Sequence, residues 1–179
     1  DPIDAGGHDG TARRGLRGGD AGLREQQSMD LAMARGDARY SRSDYTRAAQ
    51  AYDDAITHMK PRTAAQQTGS MRRGYDLPWS RKGVALVLSG DIEEGIKCLE
   101  MALKINPSNV LAWINLGNAL TKLGRHQEAI SAFERAIEGD PRQEIAWNNK
   151  GNALARLGRY IDALKCYNSA IKLNPRYQD

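Results

Sequence analysis

Apolar side chains recur every three or four residues over much of this chain, which is the spacing of one face of an α-helix. One such run is Trp113, Leu116, Leu120 and Leu123. Gly124 follows it and predicts the end of that helix. The same spacing returns between residues 126 and 137, and Pro141 lies just beyond, where a helix cannot continue. The pattern therefore predicts two helices joined by a turn.

This helical hairpin repeats along the chain with a period of 34 residues. Trp79, Trp113 and Trp147 have that spacing, and glycines, alanines and prolines recur at the same interval around them. A fourth, divergent copy lies upstream, where Gly36 and Tyr52 occupy the places of Gly151 and Tyr167. The pattern predicts an all-α chain with four repeats, at residues 29–62, 76–109, 110–143 and 144–177.

The order of these residues resembles the tetratricopeptide repeat, whose period is also 34 residues. In one repeat it reads W-x-x-x-G-x-x-L, then Gly, then A-x-x-x-aromatic-x-x-A, then Pro. The resemblance implies a right-handed α-solenoid, in which the first helices of successive repeats line a concave groove. In this family that groove commonly holds an extended peptide.

Two segments stand outside the period. Residues 1–28 are rich in glycine and arginine and almost lack large apolar side chains, which predicts a flexible tail. Residues 20–28 could instead lengthen the first helix backwards, since Leu23 and Gln27 are compatible with one. Residues 63–75 are an insertion between repeats, which we interpret as a surface loop. Alternatively, the insertion lengthens a helix or folds over the groove.

Composition and motifs add limits. With 26 basic and 22 acidic residues the net charge is only +4, and no stripe of one sign appears, so nucleic acid is not an expected partner. No apolar run is long enough to span a membrane, and the expected location is cytoplasmic. Motifs for catalysis, metals and cofactors are absent, so we expect no enzyme activity, no metal and no cofactor. Cys98 and Cys166 are too far apart in the repeat order for a disulfide.

Projecting the period onto the first helices predicts which side chains face the groove. We expect peptide contacts from Asp37, Tyr40, Arg81, Asn115, Asn118, Lys122, Asn148, Asn149, Asn152 and Arg156. The aliphatic residues Leu77, Leu111 and Ile145 fall in the groove as well. Asn115 and Asn149 are 34 residues apart, as are Asn118 and Asn152. These two rows resemble the asparagine ladder of the O-linked N-acetylglucosamine transferase repeats, which implies that the amides hold a peptide backbone. Alternatively, the amides are solvated or have a structural role.

The last repeat carries apolar residues on the face that a following hairpin would bury, namely Leu164, Ile171 and Leu173. In the family a further helix usually covers this face, and none follows Pro175 in the sequence. An exposed apolar patch attracts a partner. We therefore expect a homodimer through the C-terminal repeat, cover by the N-terminal tail of a neighbouring molecule, or continuation with further repeats.

These observations predict a non-catalytic module that binds an extended peptide or a partner helix and serves as a scaffold for complex assembly. The alternative is the recognition arm of a larger enzyme or regulator whose catalytic domain lies outside this chain.

Overall fold

The computed structural model describes residues 10–59 and 74–174, without the side chains of residues 10–21. Within these residues the chain forms helices and no strand, which confirms the predicted all-α class. The helices are α1 (Gly10–Tyr40), α2 (Tyr45–Thr57), α3 (Asp76–Ser89), α4 (Ile92–Ile105), α5 (Val110–Lys122), α6 (His126–Gly139), α7 (Glu144–Arg156) and α8 (Tyr160–Leu173).

Each repeat is a hairpin of two consecutive helices, and each hairpin packs against the next one. The turns of the last three repeats place Gly90, Gly124 and Gly158 at φ angles of 105°, 75° and 75°. Only glycine adopts this left-handed conformation without steric cost, because it has no Cβ. These glycines therefore end the first helix of each of the last three repeats where the sequence predicts.

A second set of glycines brings the two helices of each hairpin together. In three repeats the glycine of the first helix faces an aromatic ring of the second: Gly36 faces Tyr52, Gly117 faces Phe133 and Gly151 faces Tyr167. In the second repeat the ring is replaced by Leu99, and a Cβ built on Gly83 would lie only 2.9 Å from the backbone oxygen of Gly95. The hairpin of α3 and α4 is thus held by close backbone contact rather than by a ring.

The first helix differs from the prediction. The sequence predicts a flexible tail over residues 1–28, or a first helix lengthened backwards over residues 20–28. In the structure α1 extends further than either interpretation, back to Gly10. The Gln26 side chain donates to Asp30 one turn later at 3.0 Å. Residues 1–9, and nearly all of the predicted insertion at 63–75, lie outside the described residues.

Lysine side chains connect successive repeats. Lys82 of α3 pairs with Asp53 of α2 at 2.6 Å, and the equivalent Lys150 of α7 pairs with Glu134 of α6 at 2.8 Å. In the third repeat the buried Leu116 takes the place of lysine. In α3, α5 and α7 the same face of the first helix therefore packs on the second helix of the preceding repeat.

The candidate binding groove

An open pocket of about 450 Å³ lies where the helices of the first three repeats meet. Four predicted groove residues line it: Asp37 and Tyr40 of α1, Arg81 of α3 and Asn115 of α5. The other lining residues are Ser41, Tyr52, Leu77, Ser80, Val84, Asn109 and Leu111. The projection from the sequence thus brought residues of three separate helices into one site.

One side of the pocket is charged. Arg81 forms an ion pair with Asp37, which joins α3 to α1. Asp37 also accepts a hydrogen bond from the hydroxyl of Tyr52 at 2.8 Å. Burial of Tyr52, and then this hydrogen bond to a carboxylate, raise the pKa of the phenol above its ordinary range. Charges of opposite sign meet on this side, so no large excess charge points into the pocket.

A buried carboxylate, Asp76, fixes the turn that precedes α5. Asn109 caps α5, since its side-chain oxygen accepts from the backbone N–H of Ala112 at 3.0 Å. Its amide nitrogen donates to Asp76 at 2.7 Å, and Asn106 donates to the same oxygen at 3.1 Å. Asp76 is only 3% exposed, and its other oxygen has no hydrogen-bond partner among the described residues. This network ties the start of α3 to the turn before α5.

Part of the pocket lining is aliphatic. Leu77 and Leu111 are exposed and lie beside the half-buried Val84. Val84 occupies the repeat position that holds Asp37 in the first repeat and Asn118 in the third. A valine cannot accept a hydrogen bond, and Asn115, also half-buried, has no hydrogen bond within the described part of the chain. The pocket therefore combines an apolar surface with an amide that has spare donors and acceptors.

The groove between α5 and α7 is built differently. The amide nitrogen of Asn149 donates to the side-chain oxygen of Asn118 at 2.8 Å, so these two predicted ladder residues bind each other. Asn152 accepts from the hydroxyl of Tyr167 at 2.9 Å. Each of these amides keeps part of its bonding capacity, but one group on each is already used within the protein. In this part of the groove the amides therefore have a structural role, which is the alternative interpretation of such residues.

The remaining predicted contacts lie away from the pocket. Lys122 and Arg156 are exposed at equivalent positions near the ends of α5 and α7, and Asn148 is half-buried on α7. None of the three lines the pocket. Their role in binding stays a prediction.

Sequence analysis did not include Tyr52 and Asn109 among the groove residues, although both line the pocket. Tyr52 was assigned to the packing position of an aromatic residue, and only its hydroxyl reaches the groove side through Asp37. Asn109 directly precedes Val110, the first residue of α5, which is the position of an N-cap. A search for caps would have found Asn109, whereas the reach of the Tyr52 hydroxyl depends on tertiary structure.

Other kinds of site would require a group of metal ligands, a membrane-spanning helix or reactive thiols. No group of three or more potential metal ligands occurs within the described residues. No helix among them is long and apolar enough to cross a membrane. Cys98 and Cys166 are free and buried, and burial raises the pKa of both thiols.

Comparison with known families agrees with the repeat pattern. Models of the tetratricopeptide repeat match residues 20–66, 81–144 and 145–177. These matches cover most of the sequence, and the chain belongs to the tetratricopeptide repeat family. Such repeats form a protein-interaction fold. No curated protein matches the sequence.

Solved structures with the same fold include several of MamA. A crystal structure of MamA superposes with a TM-score of 0.71 at 16% identity, over 95% of this chain and 98% of MamA. MamA from residue 41 to its end, from Desulfovibrio magneticus RS-1, gives 0.70 at 20% identity, over 94% and 93% of the two chains. MamA of AMB-1 gives 0.68 at 19% identity, over 91% and 93%. At these identities the likeness concerns the fold.

Proposed function

We propose that the protein is a non-catalytic scaffold that binds an extended segment of a partner protein in the groove formed by α1, α3 and α5. The observation that carries this proposal is the Asn115 amide, which lines an open pocket and has no hydrogen bond within the described residues. A backbone peptide group offers one donor and one acceptor, which is what a free amide can bind.

The walls of the pocket favour a particular kind of segment. Leu77 and Leu111 offer apolar surface, and the Asp37–Arg81 pair offers balanced charge. An extended chain points alternate side chains to opposite sides, so one side chain would rest on the leucines while the backbone contacts Asn115. We expect an aliphatic or aromatic side chain at that place, because burying it on the leucines is favourable.

Selection of peptides from a phage-displayed random library on the purified protein tests this proposal. Leu111→Glu should weaken the selected peptides about tenfold or more, since it places a charge where the apolar side chain rests. Ile145→Glu is the matched control, because Ile145 occupies the equivalent position of the last repeat and is absent from the pocket lining. If no peptide is selected, or if both variants weaken binding equally, the pocket is not the binding site.

The cytoplasm remains the proposed location, and two free cysteines suit a reducing compartment. As the recognition arm of a larger enzyme, the chain would use the same groove, so the experiment applies to both functions. We propose no role in binding nucleic acid, because basic and acidic residues are interspersed along the chain.

A further inference from the structure

The outer face of the last helix is bare where the same face is covered in other repeats. Leu164 of α8 is 60% exposed, whereas its equivalents Ile96 and Ile130 are 4% and 3% exposed. In those repeats the next hairpin packs on this face. Leu173 is also exposed, and Ile171 is half-buried, so the predicted patch is present but Ile171 contributes less than expected. Sequence analysis missed its exposed neighbours Leu157, Tyr160 and Ile161.

The first helix shows the other half of the same contact. Leu31 of α1 is 62% exposed, whereas its equivalents Ala112 and Ala146 are 0% exposed. Ala38 is likewise exposed, whereas Ala85, Ala119 and Ala153, which hold its position in the other repeats, are all fully buried. In α3, α5 and α7 these positions pack on the preceding hairpin. Thus α1 displays the surface that normally receives a preceding repeat, and α8 displays the surface that normally receives a following one.

We propose that this chain associates with a second copy of itself head to tail, with α8 of one molecule packed on α1 of the next in the manner of two successive repeats. The two exposed faces are the two halves of an interface that the protein already forms between its own repeats. Leu31 is larger than the alanines at its position, so it adds apolar area and sets the helices somewhat further apart. Because the two faces differ, the contact is heterologous and extends into an open chain of molecules.

The polar positions of this interface are compatible with the proposal. Inside the array, Lys82 pairs with Asp53 and Lys150 pairs with Glu134 across successive repeats. By the same repeat positions, Asn168 of one copy would face Arg35 of the next. An amide oxygen accepts a hydrogen bond from arginine, and this pair brings no like charges together. The contact is therefore tolerated but lacks the ion pair of the internal interfaces.

Mixing two single variants tests the proposal. The mass of the wild-type protein should rise with concentration in analytical ultracentrifugation, and Leu31→Glu or Leu164→Glu should each weaken this association about tenfold or more. Each variant keeps one intact face, so a mixture of the two should form heterodimers of defined mass. Leu88→Glu is the matched control, since it alters an exposed leucine of α3 that lies away from both ends and outside the pocket lining, and it should leave the mass unchanged.

A variant that should associate more strongly provides a second test. Asn168→Glu should give Arg35 a carboxylate partner and strengthen association about twofold to fivefold at low salt, and adding Arg35→Glu should reverse the gain. Circular dichroism melting of every variant checks that the repeats stay folded. A protein that is monomeric at all concentrations overturns the proposal. So does association that depends on Leu164 but not on Leu31, because that result indicates a symmetric dimer through α8 or another cover for this face.

Discussion

The groove has one half formed by α1, α3 and α5 and another formed by α5 and α7. Both halves use the same repeat positions with different chemistry. Between the first and second repeats these positions hold Asp37 and Arg81, which form an ion pair. Between the third and fourth they hold Asn118 and Asn149, which form a hydrogen bond. Between the second and third they hold Val84 and Asn115, which cannot bond to each other. The half with the unmatched pair contains the pocket, and this difference identifies the place that can accept a ligand.

The comparison shows that repeated spacing alone does not define a binding site. All four asparagines of the predicted ladder lie on the first helices, yet three of them are hydrogen-bonded within the protein. Each of these three amides already uses part of its bonding capacity within the protein, so less of it is left for a ligand. Asn115 keeps its full bonding capacity because a valine stands at the partner position.

The largest expected effect concerns the hairpins that support the two halves. Gly83→Ala should lower the free energy of unfolding by about 1–3 kcal/mol, since the new Cβ meets the fixed backbone of Gly95. Gly151→Ala meets the half-buried ring of Tyr167, which can turn aside, and alanine favours the helix, so we expect a change within about 1 kcal/mol. Urea unfolding of both variants measures the difference. Equal losses would show that the two hairpins pack alike.

The tyrosine hydroxyls give the next effect. Tyr52→Phe should cost about 1–1.5 kcal/mol of stability, because the hydroxyl donates to Asp37 from a buried ring. Tyr167→Phe should cost less than about 0.5 kcal/mol, since Asn152 is exposed and water can replace the lost bond. Phe133 occupies the same position in the third repeat without a hydroxyl. Thermal unfolding of the two variants tests this order, and a larger loss for Tyr167→Phe would contradict it.

The same hydroxyl predicts a pH dependence. Burial, and then the bond to Asp37, raise the folded-state pKa of Tyr52 above its ordinary value of 10.0. Above pH 10 the unfolded chain therefore loses this proton while the folded chain keeps it, and the stability that Tyr52 contributes falls as pH rises. The difference in unfolding free energy between wild type and Tyr52→Phe should be constant below pH 10 and shrink above it. A difference that grows above pH 10 would reverse the sign.

The smallest expected effect is a difference in salt dependence between the charged Arg81–Asp37 pair and the neutral Asn149–Asn118 pair. Arg81→Ala should cost about 0.2–1 kcal/mol at low salt and less at high salt, since the Arg81–Asp37 pair is partly exposed. Asn149→Ala should cost about 1 kcal/mol at either salt concentration, because its bond to Asn118 is between neutral groups. Unfolding in low and high sodium chloride measures both. A salt-dependent Asn149→Ala effect would mean that the amide pair is not what stabilises that contact.

The repeat spacing predicted most of the fold. Gly124 and the apolar run before it predict the end of α5, and the helix ends at Lys122. The extent of α1 was not predicted, because a glycine-rich composition favours disorder and this segment has no copy among the other repeats. The local sequence pattern predicts helix ends well where several repeats share it. It predicts them less well where a segment has no copy in the other repeats.

The site could be predicted only in part. The helical period predicts that Asp37, Arg81 and Asn115 share one surface, and in the structure all three line the same pocket. It could not show that Asn118 and Asn149 would bind each other, since their bond depends on how closely α5 and α7 approach. Which amides stay free is thus a property of the tertiary structure.

The affinity of a selected peptide for two single variants tests the central claim most directly. Asn115→Ala should weaken binding about fivefold, the equivalent of about 1 kcal/mol for one lost hydrogen bond, when measured by fluorescence anisotropy. Asn118→Ala is the matched control on the same helix and should change the affinity less than about twofold, provided that both variants melt cooperatively. Equal weakening by both variants, or no effect of Asn115→Ala, would contradict the claim that the unmatched amide of the first half of the groove holds the peptide.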